Sequence, residues 1–394
     1  MPRRSTADLP LHSGSAPRWL FDRMVELSDV IAAAIVDEYG RAALLRRLSD
    51  PYWFQALGCV LGFDWHSSGV TTTTMGALKE ALDPHEHGVA VVGGKGSTSR
   101  KTPDEIDASP LDVPSGSRET LKRTSRMSAA VDNGCVQDSY TLYHHTMVVA
   151  ESGEWCVVQQ GMNDATARRY HWLSDGLESF VEEPQTAICA QARHPNPLDL
   201  TAEASAETRS VSVDLVQDDP VHLKRELQGQ RSLAEFGGTD AGGRSGGDSG
   251  ASGRSGGDSP GGLAGLAGAP DLTMPTHHEL RRADLSERAL DQLQRAYEVQ
   301  PDDYEELVGL DGIGPGSLRA LALVAELVYD AERSREDPAK YAYAHGGKDG
   351  TPFPVDRGRY DRSIREMRAV IEGAEVDRET RQDSLKRLAA LTDP

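Results

Sequence analysis

"TLYHHTMVVAESGEWCVVQQ", residues 141–160, holds two apolar runs separated by a short polar turn at Glu151, Ser152 and Gly153. A turn centred on Ser152 closes the runs into an antiparallel hairpin. Val149 then faces Trp155, Met147 faces Val157, His145 faces Gln159 and His144 faces Gln160. Successive strand side chains point to opposite faces, so His145 shares a face with Met147, Trp155 and Val157, whereas His144 lies with Thr146 and Gln160. Two adjacent histidines on a regular strand cannot ligate one metal ion. His144, on the more polar face, is the one expected at a functional site.

Upstream, "GVAVVGG" (88–94) reads as a short buried strand bounded by glycine. Leu20, Met24, Leu27, Ile31 and Ile35 recur at helical spacing, and Leu44, Leu45 and Leu48 mark a second helix that Pro51 ends. Residues 1–236 are therefore expected to form a mixed α/β (α+β) domain. Four widely separated cysteines, Cys59, Cys135, Cys156 and Cys189, form no CxxC pair and suit buried free thiols.

Downstream, residues 237–275 collapse into glycine and serine, with "GRSGGDS" occurring at 243–249 and again at 253–259. Such a tract cannot bury enough apolar surface to offset its ordering entropy and reads as a flexible linker or insertion. Residues 276–394 read as an all-α domain. Within it, "LVGLDGIGPGSLRALALV" (307–324) predicts a helix closed at Gly309 in the left-handed conformation. A tight turn through Gly312 and Gly314 follows, with Ile313 tucked inward. Pro315 then starts a second helix bearing Leu318, Leu321, Val324 and Val328 on one stripe. Free N–H groups of Gly314, Gly316 and Ser317 at that helix start would form an anion site.

This stretch, about 302–330, resembles the helix-hairpin-helix motif of DNA-repair and recombination proteins. The resemblance implies that Gly312, Gly314, Gly316 and Ser317 hold a backbone phosphate without reading sequence. "PVDRGRY" after it is similar to helix-hairpin-helix glycosylases, which carry a catalytic Asp in a "VD" pair; here that is Asp356. The gap from the hairpin is longer than in that family, and Gly316 stands where its bifunctional members keep a lysine.

The chain of 394 residues carries 62 acidic against 42 basic residues, a net charge of −20. Such acidity normally argues against a nucleic-acid partner. A shell of Asp, Glu and Arg fits a salt-rich, halophilic cytoplasm, where screening over about 3 Å at 1 M salt leaves local geometry to decide binding. No apolar run spans a membrane and the first residues lack a signal-peptide core, so a cytoplasmic location is expected.

Locally, "VVGGKGSTSRK" (91–101) follows a strand but lacks the P-loop spacing, since Gly96 follows Lys95. Lys95, Arg100 and Lys101 suit backbone phosphates instead. "ARRYHW" (167–172) sets Arg168 and Arg169 beside Tyr170 and Trp172, a pattern suited to phosphate contact and base stacking. Polar groups inside apolar runs are costly unless satisfied. "FDWHSSG", "DNGCVQDSYTLYHH" and "QQGMND" supply Asp64, His66, Asp132, Asp138, His144, His145, Gln159, Gln160 and Asn163. Of these, Asp64, His66, Asp138 and His144 form a candidate catalytic and metal set for Mg²⁺ or Mn²⁺, as a hydrolytic nuclease needs.

The stretches "TADLPLHSGSAPRWLFDRM", "LSDPYWFQALGCVLGFDWHSSGVTT", "GGKGSTSRKTPDEI", "QDSYTLYHHT", "VVQQGMN" and "ARRYHWLS" resemble an uncharacterised, largely archaeal family, domain of unknown function 763. That resemblance implies no chemistry. The expected function is DNA binding in repair or processing, with metal-dependent phosphodiester hydrolysis in the first domain. The alternatives are a non-catalytic DNA- or RNA-binding adaptor and a base-excision enzyme using Asp356. One hairpin binds weakly, so a second contact surface or a homodimer is expected.

Overall fold

The computed structural model describes residues 18–62, 69–163, 166–190, 197–218, 287–340 and 357–373, with residues 222, 378, 381–382 and 384–386. Five helices open the chain: α1 Arg18–Tyr39, α2 Arg41–Ser49, α3 Pro51–Leu61, α4 Gly69–Ala81 and α5 Pro84–His87. Strand β1 (Val89–Lys95) runs through a 3₁₀ turn, Gly96–Lys101, into α6 (Thr102–Ala108) and α7 (Ser117–Gly134). Then come β2 Val136–Gln137, β3 Thr141–Ala150, β4 Trp155–Met162, β5 Ala167–Leu173, β6 Ala187–Ala190 and β7 Leu198–Asp199. Helices α8 (Ala206–Gln217), α9 (Glu287–Val299), α10 (Tyr304–Gly309), α11 (Pro315–Tyr329) and α12 (Arg357–Gly373) complete the described chain. Among the described residues no helix is long and apolar enough to cross a membrane.

The centre is an antiparallel sheet in the order β1-β3-β4-β5-β6, making the fold α+β. The hairpin has the expected register: Val149 opposite Trp155, Met147 opposite Val157, His145 opposite Gln159 and His144 opposite Gln160. Between Leu142 and His144 the register shifts, leaving Tyr143 as the extra residue of a bulge.

Each face of the sheet carries its own apolar cluster. Val89, Val91, Val148, Ala150, Cys156 and Val158 pack against α1–α4 and against Met367, Val370 and Ile371 of α12. Ala90, Val92, Met147, Val149, Trp155, Val157 and Trp172 pack against α6–α11. Covering both faces is why β1 reads as a continuous apolar run rather than an alternating one. It also accounts for α3, whose residues Pro51–Leu61 are all buried; a helix apolar on every side belongs inside. Asp50 starts it, its Oδ1 accepting from Tyr52 N at 2.8 Å and Trp53 N at 3.2 Å, with Pro51 in the first turn.

The C-terminal helices differ from the expected separate all-α body. Leu293, Leu307, Val308, Leu318, Leu321 and Val324 belong to the same cluster as the sheet, and α12 lies on the other face. Their apolar stripes are covered chiefly by α7 and α8, with α9 also packing on α11. Two local expectations are also corrected. Gly309 is absent from the left-handed region and remains in α10, where a Cβ would lie 3.3 Å from Met127 Cε. Val328 is 44% exposed, because burial on α11 stops at Ala325. The glycine-rich tract at 237–275 lies outside the described residues.

Candidate functional site

Asp64, His66 and Asp356 lie outside the described residues. Of the other expected ligands, Asp138 and His144 serve opposite faces of the sheet. Asp138 turns to Arg168, whose Nη1 donates to its Oδ2 at 2.6 Å, while Tyr140 N donates to Oδ1 at 3.1 Å. The same guanidinium grips Asp337 with both nitrogens, at 3.0 and 2.7 Å. Burial raises the Asp138 carboxyl above the usual carboxylate range, with Arg168 opposing. Asp138 is thus held in an internal ion triad, and Arg168, 0% exposed, meets no external phosphate.

Arg169 points the other way and is equally buried. It donates to His171 Nε2 at 2.8 Å and to Gln55 Oε1 at 3.3 Å, with its guanidinium 4.6 Å from the Phe54 ring centroid. Both arginines expected at a nucleic-acid surface are therefore interior.

His144 sits in register with Lys95 and Gln160. Thr146 Oγ1 donates to the Val158 carbonyl at 2.9 Å, so at 3.3 Å it accepts from His144 Nε2–H. That assigns the proton to Nε2 and leaves the buried Nδ1 a bare lone pair without a hydrogen-bond partner. Burial, His145 and Lys95 lower the pKa of His144 to about 3, so the ring is neutral. No third ligand joins it: among the described residues no group of three or more His, Cys, Asp or Glu is placed to hold a metal ion. Asp138 and His144 do not together fit Mg²⁺ or Mn²⁺.

On the opposite face His145 belongs to a closed network. Gln159 Nε2 donates to Asp132 Oδ2 at 2.6 Å and to Ser128 O at 3.1 Å, so its Oε1 accepts from His145 Nδ1–H at 2.8 Å. His145 Nε2 then accepts from Ser125 Oγ at 2.8 Å. Asp132 also receives Trp172 Nε1 at 2.9 Å and Gln185 Nε2 at 2.7 Å. Burial raises its carboxyl to about 8 against those hydrogen bonds.

The exposed cations gather at the end of the sheet where β1 stops and β3 starts. Gly93 and Gly94, at φ 89° and 153°, followed by Gly96 at φ 62°, turn the chain into the 3₁₀ segment. At Gly93 a Cβ would run into the His145 carbonyl and come within 2.6 Å of Thr102 Oγ1. Glu105 Oε2 accepts from Gly93 N at 2.7 Å and from Lys79 Nζ at 2.6 Å, and Lys79 also donates to Gly93 O at 2.7 Å. The turn is thereby clamped from below. Lys95, Arg100 and Lys101 are exposed, and none forms an ion pair among the described residues. Lys95 Nζ lies 5.8 Å from the centroid of the Tyr143 ring.

The glycine hairpin flanks this same end. Leu142 N donates to Asn133 Oδ1 at 3.4 Å, fixing the end of α7 beside β3. Gln137 Nε2 then bridges Gly134 O and Pro315 O, each at 2.9 Å, and Arg319 Nε donates to Gln137 Oε1 at 2.7 Å. Gly312 is left-handed at φ 97°, and a Cβ there would strike Gln292. Gly314 is an extended cap whose carbonyl accepts from Leu318 N at 3.0 Å. Gly314 and Gly316 are half-buried, whereas Ser317 is buried and offers no outward amide.

Sequence reasoning passed over two groups. Asp337 stands 169 residues from Arg168 in an ordinary polar segment, with nothing local to mark it. Tyr143 hides in an apparently regular strand, because a bulge leaves no composition signal.

No curated protein and no solved structure matches the chain. The family model described as "Protein of unknown function (DUF763)" matches residues 5–355. That match covers the sheet and the cationic turn and most of the chain: the chain belongs to the DUF763 family.

Proposed function

We propose that this protein binds nucleic acid along its phosphate backbone, without sequence preference, in DNA repair or processing. The observation that carries the reading is the trio Lys95, Arg100 and Lys101. In a chain of net charge −20, these cations stand exposed on a glycine-built turn with no ion pair among the described residues. Lys and Arg without internal partners are what backbone contact requires. Exposed Gly312 and half-buried Gly314 and Gly316, at the positive end of α11, would add a second contact. Two weak contacts on one rigid body reinforce each other, which answers the weakness of a single hairpin.

Binding, rather than metal-dependent cleavage, is the function proposed, because Asp138 is held by Arg168 and faces away from His144. The test is a titration of labelled DNA with the wild-type chain and with a Lys95→Ala, Arg100→Ala, Lys101→Ala triple variant at several KCl concentrations. Losing three contacts should weaken binding and flatten the slope of log K against log salt by about 2–3. An unchanged slope would refute the assignment.

A further inference from the structure

We infer that Tyr143 is a base-stacking platform, which makes this surface a site for unpaired nucleotide strands. The inference rests on the nucleic-acid reading above and narrows its substrate class. Tyr143 is the extra residue of the β3 bulge, so it is released from the regular alternation that commits His144 and His145 to the two packed faces. It is only half-buried, unlike the residues from His144 to Ala150. Gln160 Nε2 donates to its hydroxyl, fixing the ring by its polar edge.

The ammonium of Lys95 lies over that ring at 5.8 Å from the centroid, near the limit of a cation–π contact. Among the described residues no carboxylate pairs with Lys95. Arg100 and Lys101 continue the positive charge along the following 3₁₀ segment. An aromatic face bordered by cations spaced along a turn combines the two things that a single strand offers together, an open base and a neighbouring phosphate. A duplex offers only the phosphate unless a base step is unstacked, which costs several kcal/mol.

The experiment compares full-length wild type, Tyr143→Ala, Tyr143→Phe and Tyr143→Trp with the triple cation variant on oligo-dT, oligo-U and blunt duplex DNA. Thermal melts establish that each variant is folded. Tyr143→Ala should weaken oligo-dT or oligo-U binding about five- to a hundredfold and leave duplex binding unchanged. Tyr143→Phe should bind as wild type. Tyr143→Trp adds a direct readout: stacking quenches the emission of the new indole relative to wild type, even if the Ala variant fails to fold. Equal single-strand affinity in folded Tyr143→Ala, or no quenching in Tyr143→Trp, overturns the stacking role. If the triple variant still loses affinity, backbone binding survives that result. If the triple variant also binds as wild type, both readings fall.

Discussion

His144 and His145 are adjacent in the chain and opposite in environment, and each is held neutral. Burial lowers His144 to about 3 and His145 to about 4, and His171, donating to Leu48 O, also falls well below its usual value. The unfolded chain would protonate them near pH 6.5 while the native protein would not. The unfolded state therefore binds more protons below that pH, and stability falls on acidification. Asp132 has the opposite sign. Its carboxyl keeps a proton up to about 8 when folded but loses it near 4 when unfolded, so its contribution falls as pH rises. Asp199, raised to about 6 by burial, adds to that trend only up to its own pKa. Asp138, also raised by burial, shares the sign of Asp132; the three histidines dominate below about pH 6 and Asp132 dominates above about pH 7. Urea denaturation across pH is expected to show a marked loss of stability on acidification below about pH 6 and a shallow decline from about pH 7 to 8, where Asp132 outweighs the residual histidine contribution. Asp132→Asn, with Gln185 turning its amide to meet the new donor, should abolish that alkaline loss. A decline that persists in the variant would assign it to another group.

At the scale of elements, the turn after β1 shows how backbone conformation positions charge. Gly93 is left-handed and pressed against the His145 carbonyl, so Gly93→Ala meets both a dihedral penalty and a collision with backbone. The dihedral alone costs about 1–2 kcal/mol. The variant should melt lower than wild type and bind DNA more weakly, since the clamp by Glu105 and Lys79 would be displaced. Gly96 offers the control. It also has positive φ, but a Cβ there meets nothing within 4 Å, so Gly96→Ala should show only the smaller backbone cost in a thermal melt. The elements themselves were largely legible. The period of Met24, Leu27, Ile31 and Ile35, the Pro51 boundary and the alternation in residues 141–160 each express local geometry. Gly309 was misread because a glycine near a helix end suits two physical causes. Here the cause is the close approach of Met127, which no local pattern announces.

At the scale of the molecule, the ion triad joins segments far apart in the chain. Residues 331–340 form a strap along β7: Asp199 N donates to Ser334 O at 3.3 Å, and Ser334 N to Ser205 Oγ at 2.8 Å. Ala339 is buried beside Val136, Tyr170 and Ile188, and Asp337 closes on Arg168. Arg168→Met would leave Asp138 and Asp337 buried without a cation, an expected cost of about 3–5 kcal/mol by urea denaturation. Arg168→Lys should recover only part of it, because one ammonium cannot reproduce the paired hydrogen bonds to Asp337. A variant as stable as wild type would show that the triad contributes little beyond its own desolvation. The sequence by itself determined the first two helices and the pair flanking the glycine hairpin, the 141–160 hairpin and its register, the four buried thiols and the cationic glycine turn. All of these follow from periodicity and backbone preference within about twenty residues. Only the tertiary structure decided that the C-terminal helices share the sheet's core, that Arg168 and Arg169 turn inward, and that Asp138 answers Arg168 rather than His144. Those outcomes depend on which buried charge or apolar stripe finds a partner across the fold, and such pairing is set by three-dimensional proximity that leaves no period along the chain.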